Sequence, residues 1–216
     1  EYPCNFTYER QFEKIKAVTD ELTKAFGKRP TSFRAGKFGF NEDTKNILER
    51  LGYIVDSSVT PMVSWTGNNG PSFLDYRARP FYFAETGIFE IPVTIGLNRN
   101  ISRISENIFL HIPKFTRIRG LLSKDYLNLV DLIWLYPAMF SEKEMISLVE
   151  TMIQKSINVF NMFFHSNEIK AGESIYTKTE DELERYLRRL EIFFDYAMNE
   201  KRMESVTLSE YRESHN

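Results

Sequence analysis

Residues 31–56 read TSFRAGKFGFNEDTKNILERLGYIVD, and they predict two strands joined by a helix. Residues 31–35 form the first predicted strand, which a glycine ends. Residues 41–50 form the helix, because an asparagine can cap its N-terminus and a glycine follows its last turn. Residues 53–56 form the second predicted strand. A strand, a helix and a strand in this order are typical of parallel pairing in an α/β fold.

Hydrophobic spacing predicts further helices and strands on both sides of this unit. The predicted helices are residues 8–26, 123–135, 141–157 and 179–199, and the predicted strands are residues 81–83, 88–94, 159–164 and 205–208. Residues 159–164 are continuously apolar, which is typical of a strand buried on both faces. Residues 60–79 are predicted to form a long loop, and loops of that length are often functional. The alternation predicts an α/β fold with a mostly parallel sheet.

The composition is that of a soluble globular protein, and it excludes several classes of function. The chain has 216 residues, of which 42% are hydrophobic and 27% are charged, so one domain spanning residues 1–216 is expected. A net charge of −2 provides no basic surface for nucleic acid. The only cysteine, Cys4, excludes an intrachain disulfide and a Cys-rich zinc site. The longest apolar stretch, residues 157–164, is too short to span a membrane.

A polar cluster follows the first predicted strand. Arg34 would emerge at the carboxyl end of that strand, where α/β folds place their ligands and where a guanidinium can hold a carboxylate. Gly36 and Gly39 allow a tight turn with an accessible backbone. An ordinary turn with a surface arginine is the competing interpretation, and spacing alone favours it slightly. A phosphate-binding loop is less favoured, because neither glycine-rich phosphate motif is present.

Two more polar clusters follow predicted strands. Asp56 ends the second strand and could pair with Arg34, although an aspartate here could equally cap a turn through its own backbone. His165 follows the apolar run 159–164 and suits acid–base chemistry near neutral pH, with a structural histidine as an equally weighted alternative. In a parallel, barrel-like sheet these clusters would meet at one mouth. A serine hydrolase is disfavoured because no G-x-S-x-G elbow occurs.

Five segments resemble, in order, motifs of the polysaccharide deacetylase superfamily (NodB homology, carbohydrate esterase family 4). More narrowly, they look like the branch found in bacterial surface-polysaccharide biosynthesis clusters. The segments are residues 34–39 (similar to R-A-G-R-Y-G), 51–59 (similar to L-G-F/Y followed by D-S-S-V), 90–94 (similar to E-V/I-P-V-T), 164–168 (similar to F-H-S-x-E) and 206–210 (similar to the closing strand). They span nearly the whole chain, and their order is more specific than any one of them.

The resemblance implies a fold, a reaction and residue roles. The fold is a distorted (β/α) barrel of about seven strands, and the reaction is hydrolysis of an acetyl group on a sugar, N- or O-linked, by metal-activated water. Arg34 would orient the catalytic base, Asp56 would tether Arg34, and His165 would protonate the leaving amine. The residues expected to contact an acetylated sugar or polysaccharide are Gly36, Gly39, Trp65 and Glu168. Trp65 could instead pack over the rim of the barrel.

The chain departs from the resembled family at the metal site. The Asp-Asp and H-x-x-x-H motifs that hold the metal in that family are absent from residues 1–216. We therefore expect these motifs to lie upstream of Glu1 and the barrel to be truncated at its N-terminus here. A divalent ion such as Zn²⁺ is expected in the complete domain but not in this chain, which alone is expected to be inactive. The alternative is a non-catalytic carbohydrate-binding or scaffold protein of the same fold.

Overall fold

The structure, a computed structural model, describes residues 1–98 and 131–215. The chain divides into two compact units. The first unit comprises Glu1–Val93 and Val206–Asn216, and the second comprises Thr94–Ser205. Each unit has a hydrophobic cluster of its own. The single domain over residues 1–216 stays a prediction.

The first unit contains a four-stranded sheet in the order β1-β2-β4-β3. The strands are β1 Ser32–Phe33, β2 Val55–Asp56, β3 Phe81–Tyr82 and β4 Phe89–Glu90. The β1–β2 and β2–β4 pairs are parallel, and β3 pairs with β4 in the antiparallel sense. The register aligns Phe33 with Asp56 and Asp56 with Glu90. The carboxyl ends of three parallel strands therefore meet at one edge, as the strand–helix–strand unit predicts.

Five α-helices lie in the described residues. They are α1 Tyr8–Phe26, α2 Glu42–Arg50, α3 Glu142–Gln154, α4 Glu180–Asp195 and α5 Leu208–Glu213. The side chain of Thr7 caps α1, which ends at Gly27 in the left-handed conformation (φ 65°). Asn41 and Thr44 form a capping box at the start of α2. The helices predicted at 8–26 and 41–50 are thus confirmed, because their end signals are local.

The second unit combines a two-stranded sheet with two of these helices. Strands β5 Ile95–Leu97 and β6 Leu132–Trp134 pair in the antiparallel sense. Helix α3 packs against both strands, and α4 packs against α3. Helix α4 continues into a π-helical turn at Tyr196–Glu200, which confirms the helix predicted at 179–199. The buried cluster between these elements is Leu135, Met145, Val149, Phe193, Tyr196 and Ala197.

Three predicted elements are wrong. Leu132–Trp134 is a strand rather than the end of a helix at 123–135, and residues 123–130 of that prediction lie outside the described residues. Residues 159–164 do not form a strand: Asn161 bonds to Thr94, but Phe164 is 44% exposed. Residues 205–208 do not form a strand either, because the Thr207–Glu210 capping box starts α5 there.

The strands and helices described above do not decide whether the fold is the predicted (β/α) barrel. The part of the chain that is described has one sheet of four strands and one of two, mixed with helices. The barrel of about seven strands stays a prediction. Within residues 1–98 and 131–215, no helix is both long enough and apolar enough to cross a membrane.

Candidate functional site

The carboxyl ends of β1, β2 and β4 bring one guanidinium and two carboxyl groups together. Arg34 directly follows β1, and Asp56 and Glu90 are the last residues of β2 and β4. Both carboxyl groups are fully buried, at 0% exposure, and the Arg34 charge interacts electrostatically with both. We call this group the strand-end cluster.

Two hydrogen bonds hold the Arg34 side chain to Ser57, in the loop that follows β2. Its Nε donates to the backbone oxygen of Ser57 at 3.0 Å, and its Nη2 donates to Ser57 Oγ at 2.8 Å. Burial lowers the pKa of Arg34, whereas the charges of Asp56 and Glu90 raise it. A planar guanidinium held at two points has a fixed orientation. These are not the contacts of an ordinary surface arginine.

Asp56 both caps a turn and belongs to the cluster, so the two interpretations of this residue are compatible. Its Oδ2 accepts from the Ser58 backbone N–H at 2.9 Å, and its Oδ1 accepts from Ser58 Oγ at 2.8 Å. Ser58 Oγ in turn accepts from the backbone N–H of Ala35 at 2.8 Å, which ties the loop after β1 to the loop after β2. Burial raises the pKa of Asp56, and the hydrogen bonds from Ser58 oppose that rise.

Glu90 is the member of the strand-end cluster that the sequence analysis did not single out as a site residue. Its Oε1 accepts from the Val59 backbone N–H at 3.0 Å. Burial, and then the charge of Asp56, raise the pKa of Glu90 well above its usual value. The available sequence signal was a glutamate inside the apolar run Ile88-Phe89-Glu90-Ile91, where every neighbour predicts burial.

The two glycines of the turn after β1 have different surroundings. Gly39 is buried, and a Cβ there would lie 2.6 Å from Pro3 Cδ and 3.2 Å from Tyr2 Cβ. Gly36 is exposed, and its nearest such contact is Pro3 Cγ at 3.9 Å. The packing of the N-terminal segment therefore explains Gly39 without a ligand, while the predicted substrate contacts of both glycines stay predictions.

Trp65 lies in the 60–79 loop and packs against the first unit's hydrophobic cluster. Its Nε1 donates to Thr60 Oγ1 at 2.9 Å, and its ring stacks on Phe38 with centroids 6.2 Å apart. The structure thus gives Trp65 the packing role that was the alternative to sugar contact. A role in a glycan cleft stays a prediction for its remaining exposed surface.

In the second unit, an exposed histidine rests on a buried glutamate. The His165 side chain is 65% exposed, the Glu168 side chain is 2% exposed, and Nδ1 of His165 lies 2.8 Å from Oε1 of Glu168. The hydroxyls of Tyr136 and Tyr186 also donate to Glu168. Glu168 was expected to contact substrate, but the structure places it beneath His165, where it orients the imidazole. Because His165 contacts Glu168 through Nδ1, the Nε2 atom of His165 is available to a further partner.

Aromatic rings surround this histidine–glutamate pair. Tyr136 stacks on Phe163 with centroids 4.4 Å apart, and both rings meet the imidazole of His165 edge-on at 6.1 and 6.2 Å. Tyr176, which is 39% exposed, packs edge-on against Tyr136 at 6.1 Å. Burial and the hydrogen bond to Glu168 raise the pKa of Tyr136, so its hydroxyl stays a donor at all ordinary pH values.

The predicted site residues fall into both units. Arg34, Asp56 and Trp65 belong to the first unit, and His165 and Glu168 belong to the second. Within residues 1–98 and 131–215, no group of three or more His, Cys, Asp or Glu side chains could hold a metal ion.

Comparison with known proteins gives no relative of this chain: no family model matches it, and neither does any curated protein or solved structure. The deacetylase resemblance consequently rests on the five ordered segments of the sequence.

Proposed function

We propose that this chain carries the supporting part of a site that removes an acetyl group from an amino sugar or polysaccharide by metal-dependent hydrolysis. The observation that carries the proposal is the strand-end cluster, in which Arg34 and Asp56 adjoin at the carboxyl edge of parallel strands. This is the position at which such folds place catalytic groups. It is also where the resemblance to the deacetylases assigns the residues that orient the base.

Arg34 and Asp56 act as positioning residues in this proposal. Two hydrogen bonds to Ser57 fix the Arg34 guanidinium, and the Asp56 charge compensates it in a buried setting. A preorganised positive charge can hold a carboxylate in one orientation and favour its ionised form, which a general base requires. The base itself belongs to the Asp-Asp motif, which is not among residues 1–216.

His165 is proposed to protonate the leaving amine. In its cationic form Nδ1–H donates to Glu168 Oε1, and Nε2–H faces the leaving group. When the C–N bond of the acetamide breaks, the nitrogen takes the Nε2 proton and the bond's electron pair, and the imidazole becomes neutral. Glu168 keeps the remaining proton on Nδ1 and so fixes the tautomer. The metal would supply the activated water.

Acetate release tests the proposal. The protein that carries this chain is incubated with acetylated amino sugars and oligosaccharides in the presence of Zn²⁺, and free acetate is measured. Arg34→Ala and His165→Ala should each lose about 10²-fold or more of the rate while circular dichroism shows an intact fold. Arg10→Ala, which changes an exposed arginine of α1, and His215→Ala are the matched controls, and they should retain the rate. Near-wild-type turnover in Arg34→Ala or His165→Ala would contradict the assigned roles.

The second candidate is a non-catalytic carbohydrate-binding protein. The aromatic rings around His165, with Tyr176 partly exposed, favour it, because flat rings stack on the apolar faces of sugars. Titration of the same oligosaccharides separates the two candidates. Saturable binding that Tyr176→Ala weakens, without acetate release by the complete protein, would select the binding protein.

A further inference from the structure

Two carboxyl groups of the strand-end cluster are buried side by side. Asp56 and Glu90 are register partners on neighbouring parallel strands, and each is 0% exposed. Two ionised carboxylates in this position would repel each other strongly, because a buried environment screens charge weakly. Arg34 brings one positive charge to the pair. One positive charge compensates one carboxylate.

The hydrogen bonds distinguish the two carboxyl groups. Both oxygens of Asp56 accept hydrogen bonds from Ser58, as an anion requires. Glu90 accepts from Val59 N–H through Oε1, but its buried Oε2 accepts no hydrogen bond from the described residues. A buried carboxylate oxygen without a donor is costly, whereas a carboxylic acid carries its proton on that oxygen and can donate it.

We infer that Glu90 is protonated in the folded protein at neutral pH and donates its O–H to Asp56, so that Arg34 faces a single negative charge shared by the pair. The two carboxyl groups lie within hydrogen-bonding reach of each other, and only a pair with one proton can form that bond. The titratable groups that face Glu90 are Asp56, Arg34 and, from the 60–79 loop, Tyr76. A raised pKa of Glu90 from burial and from Asp56 agrees with this arrangement.

This arrangement makes Glu90 a positioning residue. Its O–H gives Asp56 a donor in addition to Ser58, and its neutrality leaves Asp56 as the counter-charge of Arg34. The role in orienting a catalytic base rests on the proposed function. The protonation itself rests only on the geometry of β2 and β4.

Infrared spectroscopy of the folded chain tests the protonation directly. The carbonyl stretch of a protonated carboxyl group should be present at pH 7 in the wild-type protein and lost in Glu90→Gln. Glu13→Gln, which changes an exposed glutamate of α1, is the matched control and should keep the band. Absence of the band from the folded wild-type protein would overturn the inference, and so would its persistence in Glu90→Gln. If Glu90→Gln does not fold, absence of the band from the folded wild-type protein still overturns the inference.

The pH dependence of unfolding supplies a second readout. The folded state keeps the Glu90 proton at pH values where the unfolded chain, with an ordinary glutamate pKa of about 4.3, has released it. The unfolding equilibrium constant should therefore rise with pH, by up to about tenfold per pH unit, from about pH 4.3 to the folded pKa. Glu90→Gln should flatten this rise and Glu13→Gln should not. An identical slope in Glu90→Gln would overturn the inference, and no sugar is involved, so the result is independent of acetate release.

Discussion

At the scale of single residues, Ser58 connects two strand ends through one hydroxyl. Ser58 Oγ donates to Asp56 Oδ1 and accepts from Ala35 N–H, each at 2.8 Å, and the residue is fully buried. Ser58→Ala leaves a buried N–H and a buried carboxylate oxygen without this partner. We expect the free energy of unfolding to fall by about 1–3 kcal/mol. Ser32→Ala, at an exposed position of β1, should change it by less than about 0.5 kcal/mol in the same denaturant titration.

Tyr136 tests whether the buried Glu168 depends on its tyrosine donors. Tyr136→Phe removes the hydroxyl that donates to Glu168 but keeps the ring stacked on Phe163. Hydrogen bonds to charged groups contribute about 1.5–3 kcal/mol, so the free energy of unfolding at pH 7 should fall by about that amount. Tyr176→Phe, which changes a partly exposed ring, is the control. Equal stabilities of the two variants in urea would contradict this account of Glu168.

Residue types and their positions predict part of this chemistry and miss the rest. Arg34 and Asp56 could be predicted to adjoin, because parallel strands align their carboxyl ends. His165 and Glu168 are three residues apart, which suits a 3₁₀ turn such as Ser166–Ile169. The sequence does not reveal that Glu168 lies beneath the imidazole, because that depends on tyrosines 32 and 18 residues away in the chain. The roles of these residues in catalysis stay predictions.

At the scale of an element, the turn after β1 packs closely against the N-terminal segment. A Cβ on Gly39 would lie 2.6 Å from Pro3 Cδ and 3.0 Å from Pro3 N, so Gly39→Ala forces Pro3 to move. Overpacking of this kind costs about 1–3 kcal/mol, and we expect that loss in the free energy of unfolding. Gly36→Ala, with its nearest contact at 3.9 Å, is the matched control and should lose less than about 1 kcal/mol. Equal losses in the two variants would contradict the packing.

Helices were predicted more accurately than strands for a physical reason. Helix α2 starts at the Asn41–Thr44 capping box, which is formed by two residues three positions apart. A strand needs a partner along its length, and residues 159–164 do not form a strand, although Thr94 N–H bonds to the Asn161 oxygen. Residues 132–134 form β6 because β5 pairs with them, although their local pattern predicts a helix. Local hydrophobic spacing does not show which distant segments pair as strands, so it predicts strands less accurately than helices.

At the scale of the whole molecule, the first unit is completed by residues from the other end of the described chain. Helix α5 packs against β2, the hydroxyls of Ser209 and Thr31 are hydrogen-bonded at 2.8 Å, and Tyr211 stacks on Phe89 with centroids 6.3 Å apart. These contacts link the ends of the chain across 178 residues. The four-stranded sheet should therefore depend on α5, which follows it in the chain by more than a hundred residues.

Truncation tests that dependence. A chain ending at Ser205 loses α5 and its contacts with Thr31, β2 and β4. The backbone N–H groups of Ile54 and Val55, which bond to the Thr31 oxygen, should therefore exchange with deuterium faster. The Leu135 N–H, which bonds to Thr94 within the second unit, should keep its protection. A chain ending at Glu213 retains α5 and is the control. Unchanged exchange at Ile54 and Val55 in the shorter chain would mean that the sheet is stable without α5.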